Sequence, residues 1–108
     1  MSVRNKKHWT EWADRLRQEM MAELTPWVTR SVDRITEETG TDKSPSVLRS
    51  RQFWNACQSG KAPNDTLVTA GFEIEFEPNE ESEIDTVTLR LNDTWKAIMQ
   101  RVLDRRVE

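Results

Sequence analysis

Residues 31–51, SVDRITEETGTDKSPSVLRSR, hold a helix stop and a helix start within a few positions of each other. Val32 and Ile35, with Trp27, Val28 and Ser31 before them, recur at helical spacing, and Thr25-Pro26 ahead of them supplies a capping hydroxyl and a first-turn proline. The spacing therefore predicts a helix from Thr25 that ends at Gly40, the residue suited to a left-handed C-terminal cap. After the polar connection of residues 41–44, Ser44-Pro45 repeats the cap-then-proline signal. It opens a further helix to about Gln58, with Val47, Leu48, Phe53, Trp54, Ala56 and Cys57 as its apolar members and Gly60 just beyond.

Upstream, Trp9, Trp12, Ala13, Leu16, Met20 and Leu24 form one apolar stripe, the mark of an amphipathic helix over residues 8–24. Residues 1–7 read as a flexible tail. Downstream, residues 59–66 are a loop on composition, and the period then changes from 3.6 to 2. Val68, Ala70, Phe72, Ile74 and Phe76 alternate with polar residues, and so do Val87, Leu89 and Leu91 after an acidic connection. An antiparallel hairpin is expected, with Glu73 and Glu75 close to Thr88 and Arg90 on its exposed face. Asn92 or Asp93 then caps a last helix whose stripe is Trp95, Ile98, Met99, Val102 and Leu103. The expectation is one α+β domain over residues 1–108, with three helices, a hairpin and a C-terminal helix.

Composition narrows the function classes. The chain has 108 residues, 35% hydrophobic and 32% charged, enough for one small core under a densely charged surface. Cys57 is its single cysteine and His8 its single histidine, so no internal disulfide can form and a soft-metal site lacks ligands. No cofactor is expected. Cys57 lies on an apolar stripe, where a buried structural thiol is the expectation, and no serine has a second histidine to recruit; an enzyme is not predicted. Apolar runs are only two or three residues long, so no membrane span is expected and a cytoplasmic location is the default. Charge is segregated: residues 73–85 hold seven of the 19 acidic residues and no base, which leaves 12 acidic against all 16 basic ones elsewhere.

The Ser31–Arg51 stretch, with Thr39-Gly40 closing one helix and Ser44-Pro45 opening the next, resembles a helix-turn-helix. With the hairpin and last helix behind it, the chain resembles the winged helix-turn-helix superfamily over residues 8–106. That resemblance implies a DNA-binding protein, such as a homodimeric transcriptional regulator. Its recognition helix would be Pro45–Gln58, with Ser46, Arg49 and Ser50 toward base edges and Lys43, Arg51 and Lys61 toward phosphates. An acidic wing departs from the pattern, since phosphates would repel Glu73 to Asp85. The stretch Thr86–Asp93 is also similar to the start of a ribbon-helix-helix repressor, although only 15 residues follow Asp93.

A second class fits the same residues. The acidic connection, through Glu80, Glu81 and Glu83, could dock on a protein with a basic surface, as an accessory subunit of a phage or defence complex would. Five tryptophans without a tyrosine are expected to supply bulk to a small core; alternatively part of the helical stripe, at Trp9, Trp12 and Trp95, serves a partner or a two-fold homodimer.

Overall fold

The computed structural model describes residues 2–41, 44–60 and 65–107. Its elements are α1 (Ser2–Glu23), β1 (Trp27–Ser31), α2 (Val32–Thr39), α3 (Pro45–Leu48), α4 (Arg51–Ser59), α5 (Thr66–Thr69), β2 (Phe72–Phe76), β3 (Thr86–Leu91) and α6 (Asp93–Val107). Among the described residues the fold is α+β, with six helices and a three-stranded antiparallel sheet in the order β1-β3-β2. The segment expected as a tail is helical from Ser2.

The expected helix start at Thr25 is corrected to a strand. Leu24 adopts a left-handed φ of 57° and ends α1, and the Thr25 amide returns to the Met20 carbonyl at 2.9 Å. Residues 27–31 then run beside β3, from Trp27 opposite Arg90 to Ser31 opposite Thr86. Trp-Val-Thr suits a pleated surface at least as well as a helix, and the pairing with β3 decides between them. The true cap of α2 is Ser31, whose Oγ accepts from the Arg34 amide at 3.1 Å. At the other end Gly40 closes α2 at φ 61°, as its position in the sequence predicts.

The helix expected over Pro45–Gln58 is broken at Arg49-Ser50 into α3 and α4. An unbroken helix would bond the Phe53 amide to the Arg49 carbonyl. Here extended Ser50 caps α4, taking the Phe53 amide on its hydroxyl at 3.1 Å, and the freed Arg49 carbonyl accepts from the Ile84 amide at 2.8 Å. Both of these backbone groups therefore stay satisfied across the break. Trp54 locks the corner by donating its indole N–H to the Leu48 carbonyl at 2.6 Å.

The strand expected from Val68 begins at Phe72 instead. Thr66–Thr69 is a helical turn, and Gly71, at φ 104°, swings the chain into β2. A Cβ at Gly71 would fall 2.2 Å from Trp95 Cδ1, so the α6 indole lies directly on that backbone. Arg17 of α1 covers the ring's other side at 4.4 Å and donates to the Ala70 carbonyl. The hairpin register agrees with expectation: Glu73 faces Arg90, Glu75 faces Thr88, and Arg90 pairs with Glu75. Asn92 caps α6, its Oδ1 accepting from the Trp95 amide at 3.0 Å. Because β3 is paired on both edges, it cannot open a ribbon-helix-helix arrangement.

Leu48, Trp54, Leu67, Phe72, Ile74, Val87, Leu89 and Leu91 fill the core together with the α1 stripe. Trp9 sits amid Trp12, Phe53 and Trp54 with ring centroids 5.8–6.3 Å away, tying α1 to α4. One sheet face packs on this core. The other presents Trp27, Thr29, Thr86, Thr88, Arg90, Glu73 and Glu75 outward, with Thr29 and Thr88 hydroxyls 2.9 Å apart.

Candidate functional site

The two apolar anchors of α4, Trp54 and Cys57, turn its opposite side to solvent, and that side carries Arg51, Gln52 and Asn55. Positions 51, 52 and 55 share one helical face. Arg51 makes no ion pair among the described residues. Gln58 lies one turn further along and is engaged, its amide donating to the Ile74 carbonyl at 2.7 Å across to β2. No acidic residue occurs from Lys43 through Asn64.

The residues singled out in the sequence have different fates. Arg49 points into the protein's own carboxylates: Nη2 lies 2.7 Å from Asp33 Oδ1 and Nη1 3.2 Å from Asp85 Oδ1. It joins α2, the α3–α4 corner and the acidic connection, and its charge is spent on them. Ser50 is occupied as the α4 cap. Ser46 is exposed on α3, its hydroxyl 3.1 Å from that of Ser44. Lys43 and Lys61 lie outside the described residues.

The acidic connection is ordered around Asn79. Its Oδ1 accepts from the amides of Glu81 and Glu83, at 2.8 and 3.0 Å, and its Nδ2 donates to Asp85 at 2.9 Å. Ser82 takes a φ of 64°, and fully buried Ile84 plugs the loop into the core. Glu77, Glu80 and Glu81 project outward, and Glu83 is half-buried.

Trp9 and Trp12 are 6% and 2% exposed and belong to the core, which corrects their assignment to a partner-facing stripe. The physical reason is the packing of α1 over α2, α4 and α5, which leaves neither ring a free face. Trp95 is half-buried between Gly71 and Arg17. The indole that does reach solvent is Trp27, 49% exposed on β1, which helical spacing had placed on a buried side.

A second polar cleft, about 260 Å³, opens between α1, β1 and α2, lined by Trp12, Arg15, Leu16, Glu19, Arg30, Arg34 and Glu38. The Glu38 carboxylate accepts from the Trp12 indole at 2.9 Å and from Arg34 Nε at 2.7 Å. These two hydrogen bonds, Trp12 foremost, hold its carboxyl below the ordinary glutamate range. Sequence spacing could not assemble this cleft, because Arg30 joins α1 only once residues 27–31 are a strand.

Among the described residues no three His, Cys, Asp or Glu side chains group to hold a metal, and no helix is long and apolar enough to cross a membrane. Cys57 is buried on α4, as its apolar surroundings predict. No protein-family model matches the chain, and comparison with curated proteins and with solved structures yields no match.

Proposed function

We propose that this protein is a small non-enzymatic DNA-binding domain of winged helix-turn-helix type that presents α4 to the duplex. The observation that carries this reading is the outer face of α4, where a guanidinium and two side-chain amides stand together with no acidic residue in the surrounding stretch. Asparagine and glutamine suit adenine edges and arginine suits guanine, each through paired hydrogen bonds. The order of helix, left-handed glycine turn, helix and antiparallel hairpin supports it. In this reading Arg51, Gln52 and Asn55 meet DNA, Ser46 and the flanking Lys43 and Lys61 reach the backbone, and Arg49 positions α4 instead of touching the ligand.

Two cationic phosphate contacts, from Lys43 and Lys61, would give a log–log salt slope near −1.8, at about 0.9 per contact. Fluorescence anisotropy with a mixed-sequence duplex, titrated at low and near-physiological salt, tests this. Arg51→Glu should abolish the low-salt signal and leave helical content unchanged. An absence of binding at low salt, or an unaffected Arg51→Glu variant, would overturn the proposal.

The rigid acidic connection favours a second reading, an interaction or assembly subunit whose partner has a basic surface. Asn79 organises the backbone of the loop that carries exposed Glu77, Glu80 and Glu81, which lowers the backbone entropy lost on docking. Replacing Glu80, Glu81 and Glu83 with glutamine should then abolish partner capture without altering DNA binding. Ile98, Val102 and Leu103 on α6 stay half-buried and support a two-fold pairing through that helix. Sedimentation equilibrium of Leu103→Glu against the parent chain tests the pairing.

A further inference from the structure

We propose that the cleft between α1, β1 and α2 binds a small multiply charged oxyanion, with Arg15 and Arg30 as the groups that meet it and Arg34 as the third cationic wall. Arg30 is incompletely bonded within the chain. Its Nε is buried and has no hydrogen-bond partner, although Nη1 donates to the Thr29 carbonyl at 3.2 Å. A guanidinium N–H shut away from water needs an acceptor, and native structures rarely leave one without.

The cleft's own carboxylates do not meet that need. Glu38 accepts from the Trp12 indole and from Arg34, and its charge also acts on Arg30, but it makes no hydrogen bond with Arg30. Glu19 is exposed and makes no ion pair with Arg15 or Arg30. Three guanidinium groups therefore line the cleft against two carboxylates, one of which holds Trp12 and Arg34 in place.

The excess of guanidinium groups along the cleft suits an oxygen-rich anion from outside the chain, met by the parts of Arg15, Arg30 and Arg34 that line it. Phosphoryl and carboxylate groups match the guanidinium fork and bind it through paired, charge-assisted hydrogen bonds. A volume near 260 Å³ falls below the usual range for drug-sized ligands, so the occupant is an ion of the size of pyrophosphate or a short dicarboxylate. Three separate elements supply the cations, and the site exists only in the folded chain. It stands apart from the α4 face and does not depend on the DNA reading.

Isothermal titration of the full chain in low-chloride buffer with inorganic pyrophosphate, and separately with malonate, tests the proposal. Saturable one-to-one binding of either probe is the expected result. Preference for pyrophosphate identifies a phosphoryl ligand, and preference for malonate a carboxylate one. Arg15→Gln, at an exposed position that leaves the fold intact, and Arg30→Gln should each weaken binding at least about tenfold. Arg101→Gln on α6 should leave it unchanged. The proposal is overturned if neither probe binds at about 10 mM, or if Arg15→Gln and Arg30→Gln bind like the parent chain. It is equally overturned if Arg101→Gln weakens binding as much as they do.

Discussion

Replacing Arg49 with methionine keeps most of the aliphatic stem and removes the charge that links three elements. The guanidinium is 30% exposed and contacts Asp33 and Asp85, whose side chains are 75% and 54% exposed. Solvent-exposed pairs contribute about 0.2–1 kcal/mol each, and the half-buried guanidinium places these two in the upper part of that range. Together they amount to about 1–1.5 kcal/mol, which for a domain of this size lowers Tm by roughly 5 °C. Urea unfolding of Arg49→Met, Asp33→Asn and Asp85→Asn, with the corresponding double variants, measures the coupling directly. Each cycle should give about 0.5 kcal/mol or more at low salt, shrinking at high salt as screening shortens to a few ångströms. Additive single changes would refute the reasoning. So would an Arg49→Met variant of unchanged stability that loses DNA binding as completely as Arg51→Glu, since Arg49 would then be a contact and not a brace.

Further consequences are open to measurement. Gly71→Ala should cost about 2 kcal/mol or more in urea unfolding, because its φ of 104° suits glycine alone and the new methyl would collide with the Trp95 ring. Ile84→Ala should cost about 2–4 kcal/mol and make residues 77–85 a preferred site of limited proteolysis, since this fully buried side chain anchors the loop. Trp54→Phe should lose about 2 kcal/mol, as it leaves the buried Leu48 carbonyl without its donor. Glu38 titrates below its unfolded range, so its contribution to stability is present above that range and is lost as pH falls through the folded-state value. Acid unfolding of Glu38→Gln should therefore converge with the parent chain at low pH and diverge from it near neutrality.

Elements specified by neighbouring residues were legible in the sequence. Gly40 and Gly60 both adopt the left-handed caps that their positions imply, Asn92 of the two expected candidates caps α6, and alternation placed Glu73 and Glu75 near Thr88 and Arg90 on the exposed face. What escaped was set by distant contacts. Trp27, Val28 and Ser31 satisfy helical spacing, while the aromatic and β-branched residues among 27–29 suit a strand as well, and the strand that decides between them lies at residues 86–91. Ser50 is as good a cap as Ser44, yet it acts as one only because Ile84 claims the Arg49 carbonyl. The candidate sites follow the same division. Arg51 and the acid-free stretch around α4 are visible in the sequence, whereas the engagement of Arg49 and the meeting of Arg15, Arg30 and Arg34 depend on tertiary pairing.

The Arg49 carbonyl lies between two donors, the Phe53 amide of an unbroken helix and the Ile84 amide of the acidic connection, and in the bent corner it takes the second while Ser50 takes the first. Any excursion that straightens residues 45–59 must cast off Ile84, and any detachment of the loop leaves that oxygen free to complete the helix. Loop release and helix straightening are thus competing claims on a single acceptor. In hydrogen exchange the Ile84 amide should accordingly open together with the α3–α4 corner, at a free energy well above that of an ordinary surface turn.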